Sequence, residues 1–167
     1  EIVDLSQDTV EGVFPEGSVL SGSQIGRAWA EAHFRISMAK NKTDQQHAYA
    51  LGLQNLIAVL PLRDKDYHYH HRLDPGEVCV ALLEATPVHF ALVDALVSNH
   101  GCDGTQRVRP LHTQTLLASQ NLLLADWAAA LKMGLDPFAS PLNAHALRTL
   151  GLPPRYHIQG DLSPYPH

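Results

Sequence analysis

The chain has 167 residues, of which 45% are hydrophobic and 17% are charged, and its formal net charge is -5. This composition excludes a disordered chain and a broadly basic nucleic-acid surface, and the length suits one core rather than two. The apolar runs are too short to cross a bilayer. We therefore predict a cytoplasmic domain over residues 1–162, with a frayed tail over 163–167 and no binding to membranes or nucleic acids.

Turn residues and apolar runs predict the order strand, helix, strand at the N-terminus. The first strand covers residues 1–5, and Ser23 caps the helix that follows. The second strand covers residues 34–39, where an apolar run precedes a polar segment. This order is typical of a domain that mixes strands and helices.

Two segments have the pattern of a helix N-terminus. Thr43 to Gln46 reads Thr-x-x-Gln, a capping box in which the two side chains bond to each other's backbone N–H groups. It predicts a helix that runs to about Leu60. Asp74 to Glu77 repeats the pattern, with proline at the first helical position, and predicts a second helix.

The remaining elements continue the alternation of strands and helices. They are a strand at 90–97, a loop at 98–112, a strand at 115–119, helices at 122–133 and 141–150, and a strand at 156–159. Strands that alternate with helices form right-handed crossover units. The sequence therefore predicts an α/β fold with a mainly parallel sheet and helices on both of its faces.

Two lysines follow the predicted strand at 34–39. Lys40 and Lys42 would lie at its carboxyl end, beside the start of the helix that Thr43 caps. Free backbone N–H groups and ammonium groups together favour a phosphate or a carboxylate. The pattern predicts a site for an anionic small molecule at Lys40, Lys42 and Thr43, although both lysines could equally be solvated loop residues.

The same predicted helix has a second side that is partly polar. His47 and Asn55 share this side, opposite the leucines at core spacing. If the helix lies between a core and a cleft, both side chains would face the ligand. An ordinary solvated helix surface is the alternative.

Two carboxylates lie inside otherwise apolar elements. Asp94 interrupts the strand at 90–97, and Asp126 interrupts the helix at 122–133. A buried carboxylate must be paired, hydrogen-bonded, metal-bound or protonated. The functional interpretation makes Asp94 and Asp126 acid–base groups or metal ligands, with His47 as a third catalytic candidate. In the structural interpretation, Asp94 caps a turn and Asp126 holds a neighbouring backbone or an arginine.

A histidine cluster suggests a divalent metal. In an extended segment, His68 and His70 would share one side and His71 would point away. No third ligand is identifiable, and a mobile lid is the alternative interpretation. Cys79 and Cys102 form no Cys-x-x-Cys pair, so no iron–sulfur cluster is complete within the chain.

Several sequence blocks, taken together, resemble a known family. The blocks are Ile36-Ser-Met-Ala-Lys-Asn-Lys-Thr, Gly52-Leu-Gln-Asn-Leu, Phe90-Ala-Leu-Val-Asp-Ala and Ala125-Asp-Trp-Ala. In their residues and in their order along the chain, these blocks resemble the uncharacterised domain-of-unknown-function family three-six-two, over roughly residues 35 to 160. The resemblance implies a set of residues that line a site: Lys40, Lys42, Asn55, one of His68, His70 and His71, Asp94 and Asp126.

The chain departs from the family pattern at two positions. Asp44 stands where the motif has histidine, with His47 one turn away as a substitute, and Gln54 stands where it has lysine. The chain resembles the later part of the family domain, which implies an upstream half-domain or a second subunit as a partner. Some members also carry a ferredoxin-like iron–sulfur domain.

Two functions follow as hypotheses. The first is an enzyme domain that binds an anionic small molecule, with metal-assisted or redox-linked chemistry. The second is a non-catalytic binding or assembly module, accessory to an iron–sulfur protein or another partner. The resemblance supplies no reaction, because the family itself is uncharacterised.

Overall fold

A computed structural model describes residues 2–61, 67–101 and 109–166, without the side chains of residues 70 and 71. The elements in chain order are β1 (Thr9–Glu11), β2 (Gln24–Gly26), α1 (Arg27–Ala30), β3 (Ile36–Asp44), β4 (Ala48–Ala50), α2 (Gly52–Asn55), a 3-10 helix (Leu56–Val59), a π-helix (Tyr67–Arg72), α3 (Pro75–Ala85), β5 (Phe90–His100), β6 (Arg109–Leu111), β7 (Thr115–Ser119), α4 (Leu122–Lys132) and α5 (Pro141–Thr149).

The central sheet is mixed rather than mainly parallel. It has five strands: β4, β3, β5 and β6 lie in that order, and β7 also pairs with β5. Among the described strands only β3 and β5 pair in parallel, while β4, β6 and β7 all join the sheet antiparallel. The predicted parallel sheet is wrong because β3 and β4 form a hairpin, and because no described helix lies between β5 and β7.

The predicted helix from Thr43 to Leu60 is also wrong. β3 continues through Asp44, whose Oδ1 accepts hydrogen bonds from the backbone N–H groups of Gln46 at 3.0 Å and His47 at 2.8 Å. Ala48 then adopts a positive φ of 61°. This local turn competes with helix formation and reverses the chain into β4.

Three helix starts and one strand match the sequence closely. Asp74 Oδ1 accepts from the N–H groups of Gly76 and Glu77, which confirms the predicted cap of α3. Asn121 and Ser140 cap α4 and α5 in the same way, near the predicted starts of both helices. The strand predicted at 115–119 is β7.

Other predictions at the two ends of the chain are wrong. The described residues 2–5 and 156–159 contain no strand. Ser23 caps no helix, because α1 begins at Arg27 after β2 has paired with β1. Residues 163–166 are held against α4 rather than frayed. Tyr165 is buried, its N–H donates to the Lys132 carbonyl at 2.8 Å, and the Lys132 ammonium donates to the Ser163 carbonyl at 2.7 Å.

The core lies on one face of the sheet. Odd-numbered residues of β5 such as Ala91 and Val93 pack with Leu123 and Ala129 of α4 and with residues of α3 and α5. On the other face, even-numbered residues such as Met38 are exposed, and no helix in the described part of the chain covers them. The prediction of helices on both faces is therefore not met. None of the described helices is both long and apolar enough to cross a membrane.

Candidate functional site

A pocket of about 390 Å³ lies beside the edge of β3. It forms because β4 pairs only with residues 42–44, so no described strand lies beside the edge of β3 before Lys42. α2 crosses this gap, and the Asn55 side-chain amide donates to the Met38 carbonyl at 2.7 Å. The side chains that give the pocket its character are Lys40, Lys42, Gln54 and Asn55, with Leu51 and Ile57 on its apolar side.

The structure thus brings together three of the predicted ligand-binding residues, Lys40, Lys42 and Asn55. The predicted reason for their proximity is wrong, since both lysines lie within β3 and the nearby α2 has only four residues. They meet because Lys40 and Lys42 are on the same face of one strand and Asn55 is tied to its edge.

The two lysines differ in their partners. The Lys40 ammonium lies 2.9 Å from Asp94 Oδ2 in the neighbouring strand, and both side chains are about one-third exposed. The Lys42 backbone pairs with β4 and β5, but its ammonium has no hydrogen bond or ion pair with any residue in the described ranges. Within the described part of the chain, the pocket therefore contains one cation that is paired with a carboxylate and one that is not.

Asp94 is held in its ionised form. Its Oδ1 accepts from the Leu96 backbone N–H at 3.0 Å. This hydrogen bond, and then the bond from the Lys40 ammonium, keeps the pKa of Asp94 below its usual value. The carboxylate is thus suited to orienting Lys40 rather than to donating a proton near neutral pH.

Gln54 lies in the pocket wall. Its side-chain oxygen is buried and has no hydrogen-bond partner within the described part of the chain. An unsatisfied buried acceptor costs free energy. A ligand that made this side chain turn toward it would recover part of that cost.

Thr43, also predicted to bind the ligand, is not in the pocket lining. Its hydroxyl donates to the Gly101 carbonyl at 2.8 Å and accepts from the Gly101 N–H at 3.0 Å. These two bonds fasten the end of β3 to the end of β5. The side chain therefore has a structural role in the sheet.

His47 also lies outside the pocket lining. It is buried at the turn between β3 and β4, where its Nδ1 lies 3.2 Å from Asp44 Oδ1. Asp44 thus shapes the turn that displaces the predicted helix.

Asp126 is fully buried behind α2. Oδ1 accepts from the Gly52 N–H and Oδ2 from the Leu53 N–H, each at 2.9 Å, and the Asn143 amide donates to Oδ2 at 3.1 Å. Burial raises the pKa of Asp126 to about 6, although the three hydrogen bonds oppose that rise. This arrangement agrees with the structural interpretation, in which Asp126 holds a neighbouring backbone.

The histidine cluster is not extended. Residues 67–72 form a π-helix, so the extended backbone on which the predicted pairing of His68 and His70 depended is absent. The His68 ring lies edge-on to Tyr69, with centroids 4.8 Å apart, and the side chains of His70 and His71 lie outside the described residues. The described residues contain no group of three metal-binding side chains.

Sequence reasoning missed a polar chain beneath the sheet end. The buried Asn41 amide donates to Ser98 Oγ at 2.8 Å, and Ser98 Oγ lies 2.6 Å from Thr113 Oγ1. The sequence carried a signal, because the smaller residues Ser37, Ala39 and Asn41 alternate with larger ones in β3, and these three are the buried residues of the strand. Reading this period of two would have extended β3 and turned Asn41 inward.

Fold and pocket together define a small α/β domain with a mixed sheet and a polar pocket at the open edge of one strand. The family comparison is consistent with this class. A family model described as "Domain of unknown function (DUF362)" matches residues 1–131, so the chain belongs to that family. The predicted family is confirmed, but the match begins earlier and ends earlier than the predicted span of about 35 to 160. No curated protein and no solved structure matches the chain.

Proposed function

We propose that this DUF362 domain binds an anionic small molecule, bearing a phosphate or a carboxylate, in the pocket between β3 and α2. The observation that supports the proposal is the Lys42 ammonium, which has no partner among the described residues, beside Lys40 and two side-chain amides. An ammonium group that lacks a protein partner gains a charge-assisted hydrogen bond when an anion binds. The pocket volume suits a small metabolite rather than a polymer.

Each wall of the pocket has a distinct role in this proposal. Lys42 supplies the charge, and Lys40 adds a second donor whose position Asp94 fixes. The amides of Gln54 and Asn55 offer hydrogen bonds to neutral polar groups of the ligand. Leu51 and Ile57 contact its carbon skeleton.

The second candidate function is binding without catalysis. The three predicted acid–base groups all have protein partners: Asp94 pairs with Lys40, His47 with Asp44, and Asp126 with Gly52 and Leu53. These contacts favour a binding or assembly module over an enzyme. An iron–sulfur partner, an upstream half-domain and a bound metal stay predictions of the sequence.

The test is a titration with inorganic phosphate and with acetate, in which NMR measures the backbone amide chemical shifts at each anion concentration. We expect shifts for residues of β3 and α2 that saturate with phosphate, and at least about tenfold weaker binding in Lys42→Ala. Arg155→Ala is the matched control, because it removes one positive charge from an exposed residue outside the pocket.

Two results would overturn the proposal. One is an absence of shifts in β3 and α2 with either anion. The other is an equal loss of affinity in Lys42→Ala and Arg155→Ala, which would mean that only the net charge of the domain matters.

A further inference from the structure

The uncovered face of the central sheet is largely apolar, with one ion pair among its apolar side chains. We define the open face by the side chains that point away from the helices on β3, β5 and β7. Its apolar members are Ile36, Met38, Phe90, Leu92, Leu96 and Leu116. Four of these large side chains are at least half exposed: Ile36 by 53%, Met38 by 62%, Leu96 by 50% and Leu116 by 57%.

Such a surface is unusual for a protein that is monomeric in solution. A sheet face that meets solvent normally carries polar side chains alternating with buried apolar ones. Here both faces of β3 and β5 carry apolar residues, yet only one face has helices against it among the described elements. Contiguous exposed apolar side chains of this kind mark an interaction surface.

The charges of the open face identify the partner. The face carries one adjacent pair of opposite charges, Lys40 on β3 and Asp94 on β5, which are aligned in register. Consider a two-fold axis that is parallel to the strands and lies above the open face, midway between β3 and β5. Rotation about this axis would place β3 of one copy over β5 of the other. Lys40 of each copy would then lie opposite Asp94 of the other.

The same operation matches the apolar neighbours. Met38 is aligned with Leu92, and Ile36 is aligned with Phe90. The two-fold axis would place each of these side chains opposite the other member of its pair. In these rows every apolar residue would face an apolar residue, and Lys40 and Asp94 would each face their opposite. Lys42, which is on the same face of β3, would face the neutral Asn99.

We propose that the open face packs against the same face of a second copy of this chain, as two aligned sheets related by a two-fold axis. A bilayer is a poorer partner, because it would have to accept the ionised Asp94 carboxylate. A partner surface whose charges all had the same sign would place a like charge opposite either Lys40 or Asp94. The face spans three strands of about five residues, so the expected interface is small and the association weak.

The first test is sedimentation velocity at protein concentrations from about 10 µM to about 500 µM. We expect a reversible dimer of the unmodified chain, and roughly tenfold weaker association in Ile36→Ser. Leu150→Ser is the control, since Leu150 is an exposed leucine at the end of α5, away from the open face. A chain that stays monomeric throughout, or an unchanged dimer in Ile36→Ser, would overturn the proposal.

The second test uses the charges and separates a second copy from any other partner. Lys40→Glu makes the charged pair wholly negative, and Asp94→Lys makes it wholly positive, so each variant alone should be monomeric at concentrations where the unmodified chain dimerises. A mixture of the two should form a mixed dimer, because opposite charges face each other again. Circular dichroism confirms that each variant is folded before it is mixed.

Failure of the mixture to associate would exclude the charge-paired arrangement. Failure of this proposal would also be distinct from failure of the anion site. Ile36 is outside the pocket, so Ile36→Ser should bind inorganic phosphate as the unmodified chain does. Lys42→Ala should leave the dimer intact.

Discussion

At the residue scale, Asp126 shows how a buried carboxylate can be structural and still titrate near neutral pH. It belongs to α4, yet its two oxygens accept the first free N–H groups of α2. A β-carbon at Gly52 would lie 2.5 Å from Leu122 Cδ1 and 3.0 Å from Asp126 Oδ1. The close approach of α2 to α4 therefore requires glycine at position 52.

The first prediction concerns the pH dependence of stability. The folded pKa of Asp126 is about 6, above its usual value of 3.8. Between these values the folded chain holds a proton that the unfolded chain has lost, so this residue stabilises the fold at low pH and less so as pH rises through 6. The slope of its contribution is at most about 1.4 kcal/mol per pH unit.

Asp126→Asn cannot titrate and should lose this dependence. We expect the stability difference between the unmodified chain and Asp126→Asn, measured by urea unfolding, to be largest near pH 4 and to shrink by pH 7. The control is Asp161→Asn, since hydrogen bonds from Ser163 hold the pKa of Asp161 below its usual value and give the opposite trend. Parallel pH profiles for the unmodified chain and Asp126→Asn would contradict the raised pKa.

At the element scale, the packing of α3 against α5 depends on Gly76. A β-carbon at this position would lie 2.7 Å from the His145 β-carbon in α5 and 2.9 Å from the carboxylate of Asp74, which caps α3. The His145 β-carbon is fixed by the backbone of α5, and the Asp74 carboxylate is fixed by its hydrogen bonds to α3, so neither can move away easily. The helices therefore pack closer here than any other residue would allow.

Gly76→Ala sets two effects against each other. Alanine favours the helix by up to about 1 kcal/mol relative to glycine. The clash with His145 and the loss of the Asp74 cap cost more, about 1 to 3 kcal/mol. We expect a net loss of stability in chemical unfolding, whereas Glu77→Ala, at the next and exposed position, should change it by less than about 0.5 kcal/mol. A stabilised Gly76→Ala would show that α3 and α5 are not in contact there.

The same scale explains which elements the sequence predicts. α3, α4 and α5 carry their own capping residues and apolar faces, so local information is sufficient for them. β3 is different, because its polar residues resemble a loop and Thr43 to Gln46 imitates a capping box. Pairing with β4 and β5, which depends on distant residues, decides its structure.

The candidate site was predicted by residue but not by geometry. Lys40, Lys42 and Asn55 do line one pocket, because neighbours in a short segment stay close whichever element it forms. Asp94 joins them through its register with Lys40, which no local pattern reveals. The positions of Thr43 and Asp126 depend on contacts across the fold, with Gly101 and α2. The position of His47 depends on the local turn that Asp44 forms in place of the predicted helix.

At the scale of the whole molecule, the C-terminal residues close the end of α4. Lys132 is buried, and its ammonium donates to the Ser163 carbonyl and lies 4.7 Å from the centre of the Tyr165 ring. A buried ammonium needs such partners, because it has lost most of its hydration. Residues 163–166 therefore compensate a charge that belongs to the core.

Removal of residues 163–167 should destabilise the domain. The hydrogen bond from a charged group contributes about 1.5 to 3 kcal/mol, and the contact of a cation with an aromatic face contributes about 0.5 to 2 kcal/mol. We expect the truncated chain to lose about 2 to 4 kcal/mol of unfolding free energy, whereas a frayed tail would leave it unchanged.

A double-mutant cycle with Lys132→Met distinguishes the buried charge from general packing. In the full chain this change removes the ammonium with its partners present and should destabilise the fold. In the truncated chain it removes an ammonium that has lost them, so it should be neutral or stabilising. Equal effects of Lys132→Met in both chains would show that the C-terminal residues act by covering apolar surface alone. A coupling of at least about 1 kcal/mol would show that they hold the charge.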